Sequence, residues 1–200
     1  MREYREQKGG ETVREFVEVI RDNPVIAAVQ TRPALERALE LKVPTIFLLN
    51  TDIFSARALV DMAKAAGSHV FLHMDLIDGL AASARALDYI QTSMNPSGII
   101  STRSGLVKYA KDNGIFCIQR FFMVDSASFE NSVKTAEKVR PSMIELMPGI
   151  IPDVIRRFTQ AVDIPVIAGG LITERKQIID ALSAGAIGVS TGAAALWLEA

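Results

Sequence analysis

Eight short apolar runs recur along the chain, and the stretch between each pair has helical spacing. The runs read VIAAVQ from Val25, TIFLLN from Thr45, HVFLHMD from His69 and GIISTR from Gly98. They continue as FCIQRFFMVD from Phe116, MIELMPG from Met143, PVIAGGLI from Pro165 and IGVSTG from Ile187. Several have no polar face. A strand of that kind must be covered on both sides, which is the situation of parallel strands flanked by helices.

Helical patterns fill the gaps: Pro33 to Leu41, Phe54 to Ala66, Leu80 to Tyr89, Gly105 to Asn113, Ser128 to Val139, Pro152 to Val162 and Thr173 to Ala184. Gly67, Gly114 and Gly185 stand where a helix is closed by a left-handed residue. Strict alternation of strand and helix means parallel strands joined by right-handed crossovers. Eight such units predict a compact (β/α)₈ TIM barrel, at about 25 residues per unit against roughly 250 residues for a typical whole barrel. An open doubly wound sheet is the rival, but no Gly-x-Gly-x-x-Gly follows the first strand. One domain over residues 1–200 is expected, with residues 1–23 an N-terminal extension and residues 24–200 the barrel. Glu11 to Asp22 places Val13, Phe16, Val17 and Ile20 on one helical face. This extra helix reads as a plug for the bottom of the barrel, or as a face for a partner chain, which leaves a homo-oligomer open.

Charge and cysteine usage narrow the function. With 22 Lys plus Arg against 23 Asp plus Glu, the net charge is −1, so no global field draws the chain to nucleic acid or an anionic membrane. Cys117, the single cysteine, has no partner for an internal disulfide. The charged start MREYREQKGGE lacks the apolar core of a signal peptide. No apolar run reaches the roughly 20 residues that span a bilayer. A soluble, cytoplasmic protein without membrane contact is expected.

Ligands of parallel barrels bind at the C-terminal ends of the strands. Here those ends collect polar groups: Gln30, Asn50, Asp75, then Ser101, Thr102 and Arg103, then Gln119 and Arg120, then Glu145. Apolar strands that all turn polar at one end outline a polar cup. Asp75, Arg103, Arg120 and Glu145 are its charged candidates, and buried charges of this kind must be paired or matched by a ligand. Strand alternation puts His73 one layer below Asp75, most simply as a hydrogen-bonded core histidine. The last two strands end in Gly169-Gly170 and in Ser190-Thr191-Gly192. Glycines let a phosphate approach backbone N–H groups, hydroxyls add donors, and a helix start adds a favourable dipole. Gly169, Gly170, Ser190, Thr191 and Gly192 are therefore the candidate phosphate site, with Thr173 and the segment after Gly192 expected to open helices.

Other chemistries lack a pattern. No Cys/His cluster marks zinc, no diagnostic spacing of carboxylates marks Mg²⁺, and no lysine stands at a strand end to form a Schiff base. No metal and no cofactor are expected. An acid–base pair of Asp75 and Glu145 stays open from sequence.

Taken together, His73-Met74-Asp75-Leu76-Ile77-Asp78-Gly79-Leu80, Gly98-Ile-Ile-Ser-Thr-Arg103, Ile118-Gln119-Arg120, Ile144-Glu145-Leu146-Met147-Pro148-Gly149, Ile167-Ala168-Gly169-Gly170-Leu171-Ile172 and Ser190-Thr191 resemble the glycerol uptake operon antiterminator proteins. The resemblance runs from the first strand to Trp197. It implies a regulator that senses glycerol 3-phosphate, binds the leader messenger RNA of glycerol-utilisation genes and prevents transcription termination. It also implies that Gly169, Gly170, Ser190 and Thr191 hold the phosphate, with Asp75, Arg103, Arg120 and Glu145 around the rest of the ligand. The family usually has Lys where this chain has Arg103, Glu where it has Asp78, and Ser where it has Gly192. RNA binding rests on the resemblance, since the basic residues come only in short groups: Lys108 with Lys111, Lys134 with Lys138 and Arg140, Arg156-Arg157 and Arg175-Lys176. The alternative is a TIM-barrel enzyme acting on a small phosphorylated substrate, because the fold serves many activities.

Overall fold

The computed structural model describes residues 13–198. The extension before Val13, including the expected helix start at Glu11, lies outside the described residues. Eight parallel strands close into a barrel: β1 (Val25–Val29), β2 (Thr45–Leu48), β3 (His69–His73), β4 (Gly98–Ser101), β5 (Cys117–Phe122), β6 (Met143–Met147), β7 (Val166–Gly169) and β8 (Gly188–Thr191). Each strand pairs with its chain neighbours, and β8 pairs with β1 to complete the ring. Helix α1 (Val13–Asp22) precedes the barrel. Seven helices follow successive strands: α2 (Arg32–Glu40), α3 (Ala56–Ala65), α4 (Ala84–Ser93), α5 (Ser104–Asp112), α6 (Ser126–Val139), α7 (Pro152–Ala161) and α8 (Arg175–Ser183). The TIM barrel expected from the alternation is the observed fold.

Alternating side chains divide the interior into two apolar layers. Ile26, Phe47, Phe71, Ile100, Ile118, Met143 and Ile167 point inward and meet Phe16, Val17 and Ile20 of α1. Phe16 lies 4.8 Å from the Phe71 ring and 5.3 Å from the Phe116 ring, near the starts of β3 and β5. A Cβ on Gly188, at the start of β8, would fall 2.5 Å from Ile20. Helix α1 therefore seals the N-terminal end of the barrel, as the plug reading expected. The opposite residues, such as Val25, Ile46, Val70, Ile144 and Val189, pack beneath the outer helices.

The helix boundaries have local causes. Thr31 and Ser83 accept from the backbone N–H of Ala34 and Ala86 at the starts of α2 and α4. Asp125 and Ser128 form a reciprocal cap at the start of α6. Gly67, Gly114 and Gly185 take φ of +83°, +71° and +105° after α3, α5 and α8, the left-handed closure that their positions predicted.

Some expectations need correction. Helix α4 begins at Ala84 rather than Leu80, because Ser83 is its cap. The cap of α8 is Glu174, paired with Gln177, and not Thr173, whose N–H donates to Gln177 Oε1. Among the described residues the chain after β8 forms one 3₁₀ turn, Ala194–Leu196, where a full helix is expected, and so short a turn carries little dipole. Strand β3 stops at His73, and Asp75 sits in a 3₁₀ turn, Met74–Leu76. Two short strands, Thr51–Asp52 and Ile77–Asp78, pair outside the barrel.

Candidate functional site

A chain of polar contacts crosses the upper barrel. Arg120 on β5 and Glu145 on β6 are direct cross-strand partners, and Ser190 on β8 lies opposite Gly169 on β7. All point inward by strand alternation. Arg120 Nε donates to Glu145 Oε2 at 2.6 Å, and Ser190 Oγ donates to Glu145 Oε1 at 2.5 Å. Arg120 is 6% exposed and Glu145 0%. Two buried charges are thus paired with each other, and the second carboxylate oxygen is satisfied by a hydroxyl. Arg120 Nη2 is buried without a partner among the described residues. A guanidinium N–H of this kind is a donor waiting for an acceptor.

His73 also ends in the upper barrel, on β3. It is nearly fully buried, and its Nδ1 has no partner among the described residues. Burial, reinforced by the positive charge of Arg120 and opposed by Asp75, pushes its pKa down to about 4. The ring is neutral near pH 7. The expected hydrogen-bonded core histidine is therefore not what the structure contains at Nδ1.

Asp75 is fixed by loop chemistry instead of by strand parity. Its Oδ1 accepts from Ser101 Oγ at 2.8 Å, and its Oδ2 accepts from Thr102 N at 2.6 Å and Thr102 Oγ1 at 2.8 Å. Partial burial pushes the carboxyl up, but these three donors outweigh it and hold the pKa below the usual aspartate value. Arg103 Nε lies 3.5 Å from Asp75 Oδ1, with its side chain 63% exposed. The four charged candidates therefore come together as two pairs, one buried and one at the rim.

The glycine-rich ends have distinct roles. A Cβ on Gly169 would lie 2.5 Å from both Glu145 Oε1 and Ser190 Oγ, so this glycine makes room for their hydrogen bond. Gly170 takes φ +80° and Leu171 φ +62°, which turns the chain sharply out of β7. Gly149 N donates to Gly169 O at 2.6 Å and ties the loop after β6 to the end of β7. Thr191 faces away from the axis. Its hydroxyl donates to Ile172 O at 2.7 Å and accepts from Ala193 N, joining the loops after β7 and β8. A Cβ on Gly192 would meet only Ala28 O, at 3.5 Å, so a larger residue fits there.

Two features of the site were not read from sequence. Ser101 and Thr102 were seen only as a polar strand end, although both clamp Asp75. The orphaned nitrogens of His73 and Arg120 depend on which neighbours each strand faces. Gln119, grouped with Arg120, points out of the barrel by alternation and donates to Thr102 O at 3.0 Å. Among the described residues, no group of three or more His, Cys, Asp or Glu could hold a metal ion, and no helix is long and apolar enough to cross a membrane.

A family match and two similar solved structures point to one family. Residues 25–197 match the family described as glycerol-3-phosphate responsive antiterminator. An uncharacterised protein of Escherichia coli K12, YgcP, is 34% identical over 182 residues, which cover 91% of this chain and 95% of that protein. The crystal structure of a glycerol uptake operon antiterminator regulatory protein from Listeria monocytogenes is 40% identical, with a TM-score of 0.83, over 86% of this chain and 92% of that one. A glycerol uptake operon antiterminator-related protein from Thermotoga maritima is 27% identical, with a TM-score of 0.79, over 88% of this chain and 98% of that one.

Proposed function

The chain belongs to the glycerol-3-phosphate responsive antiterminator family, and we propose that it is a regulator that binds glycerol 3-phosphate in the barrel mouth and, in response, binds the leader RNA of glycerol-utilisation genes to prevent transcription termination. The observation that carries the ligand half is the unpartnered Nη2 of buried Arg120 above the neutral His73. A ligand oxygen there meets a donor already held in place by Glu145. In this reading Gly169, Gly170, Ser190, Thr191 and Gly192 form the phosphate end of the site. Their contribution is mainly backbone N–H, since both hydroxyls already donate within the protein. Asp75, Arg103, Arg120 and Glu145 surround the polyol end, where a hydroxyl can donate to a carboxylate and accept from a guanidinium.

For the ligand to switch RNA binding, it must favour the RNA-competent state. Calorimetric titration with glycerol 3-phosphate, glycerol and inorganic phosphate tests the first half. Binding confined to glycerol 3-phosphate supports the reading, and no heat with any of the three refutes it. Gel shift with the transcribed leader of its own operon, with and without glycerol 3-phosphate, tests the second half. Turnover of glycerol 3-phosphate abolished by Asp75→Ala would instead favour an enzyme.

A further inference from the structure

A second polar concavity lies outside the barrel, between α5 and α6. It is a cleft of about 260 Å³, lined among others by Thr102, Ser104, Gln119, Phe121, Asn131 and Thr135. That volume is below the roughly 300–1,000 Å³ of pockets for drug-sized ligands and suits one ring system. Gln119 is fully buried at its base. Its Nε2 donates to Ser101 O at 3.3 Å and to Thr102 O at 3.0 Å, while its Oε1 has no partner among the described residues. A buried acceptor without a donor is rare, and it fits a ligand that brings an N–H.

The helix faces below the cleft are basic. Ser104, Lys108 and Lys111 recur at i, i+4 and i+7 on α5, and Asn131, Thr135 and Lys138 do so on α6, flanked by Lys134. Lys111 Nζ donates to Val139 O at 3.3 Å, so these two stripes face each other. Asp112 is bound to Lys108, and Glu130 and Glu137 stand one turn before and after Lys134 on the outer side of α6, so Lys111 and Lys138 are the lysines nearest the seam. The barrel mouth carries both signs: Asp52, Asp78, Asp125, Asp153 and Glu174 stand on the loops and helix starts around it, beside Arg32, Arg57, Arg85, Arg103 and Arg175. Along the seam between α5 and α6 the nearest charges are Lys108, Lys111 and Lys138, which favours a polyanion there.

Resting on the RNA-binding reading above, we infer that the α5–α6 face is the RNA-contacting surface and that its cleft takes one unpaired nucleobase. The base presents an N–H to Gln119 Oε1 and its polar edge to Asn131 and Thr135, and lies along Phe121. Flanking phosphates meet Lys108, Lys134 and Lys138. Unpaired bases taken into side-chain pockets are the usual basis of sequence-specific RNA recognition. The cleft also shares a wall with the ligand site. Asp75 holds Thr102 from the mouth, and Gln119 holds the same residue from the cleft. A ligand that engages Asp75 or Arg103 therefore acts on the cleft through a single residue, Thr102.

The test is a salt titration of binding to the transcribed leader, with glycerol 3-phosphate present. The cleft variant Asn131→Ala/Thr135→Val should lose at least about tenfold in affinity. The variant Lys108→Ala/Lys134→Ala/Lys138→Ala should reduce the slope of log affinity against log salt by about 2, at roughly 0.7 per single-strand phosphate contact. The charge-matched Arg37→Ala/Arg57→Ala/Lys64→Ala, on α2 and α3, should leave the slope unchanged. Thermal unfolding and glycerol 3-phosphate titration verify that each variant is folded and still binds ligand. Wild-type RNA binding that survives in both test variants overturns the inference alone. An equal loss in the charge-matched variant also overturns it, because binding then follows total charge. Absence of wild-type RNA binding overturns the functional reading and the inference together.

Discussion

Gly169 and Glu145 are fitted to each other: a Cβ at position 169 would lie 2.5 Å from Glu145 Oε1 and as close to Ser190 Oγ, which donates to that oxygen. The glycine keeps a buried carboxylate hydrogen-bonded at the point where a ligand would enter. Gly169→Ala is therefore expected to lower stability by about 1–3 kcal/mol, the usual cost of overpacking a filled site. Equilibrium urea unfolding checks this, and an unchanged midpoint would mean that the carboxylate has room to move.

The Arg120–Glu145 pair should show strong coupling. Removing one partner leaves the other charge buried, at a cost of about 3–5 kcal/mol. Glu145→Leu is expected to fall in that range. The double variant Arg120→Met/Glu145→Leu should regain most of the loss, because no unpaired charge remains. A double-mutant cycle from denaturant unfolding measures the coupling, and additive effects would refute it.

Acid should destabilise the protein in two steps. His73 takes up a proton near pH 6.5 when unfolded, but only near pH 4 when folded. Between those values the unfolded state binds the extra proton, so stability falls as pH drops through the window, by about 3 kcal/mol at most. Asp75 has a lowered folded pKa, so its contribution is present above the unfolded value near 3.8 and is lost only at lower pH. Urea midpoints at pH 7.5 and 4.5 should differ clearly in the wild type and much less in His73→Gln. An equal pH dependence in both proteins would exclude His73 as the cause.

The sequence shows most of the barrel because each strand had to be apolar on both faces, a pattern that survives without any long-range information. The same holds for Gly67, Gly114 and Gly185, whose left-handed φ is a local demand. Asp75 is legible as a strand-end carboxylate, yet strand alternation expects it on a strand that stops at His73. The turn that holds it depends on Ser101 and Thr102 from the next strand, a contact that spacing cannot reveal. Gln119 and Arg120 are adjacent in sequence, but alternation sends them to different cavities, so one reading for both had to fail. The glycine at 169 is visible in the sequence, but the closeness of Glu145 and Ser190, from two other strands, is not.

The resemblance implies a serine where this chain has Gly192, and the structure leaves room for one. The nearest atom to an added Cβ is Ala28 O at 3.5 Å. Gly192→Ser should fold normally and place a hydroxyl near the proposed phosphate. One added hydrogen bond contributes about 0.5–1.5 kcal/mol, so glycerol 3-phosphate should bind roughly 2- to 10-fold more tightly. Calorimetry checks the gain, and weaker or equal affinity would move the phosphate away from this strand end.

Arg103 separates binding from folding more cleanly than any other charged candidate. Its side chain is 63% exposed, and its 3.5 Å contact with Asp75 is a rim pair, whose net worth is small. Asp75 itself remains held by Ser101 and Thr102 when the guanidinium is removed. Arg103→Ala should therefore shift unfolding by no more than about 0.5 kcal/mol. If the guanidinium meets the ligand, the same variant should weaken glycerol 3-phosphate binding by about tenfold, the loss of one charge-assisted hydrogen bond. Arg103→Lys should keep most of the affinity, since a point charge survives while the planar geometry is lost. Titration of the three proteins at one ionic strength decides the matter. Equal affinity in all three would place the ligand deeper in the barrel, on Arg120 alone.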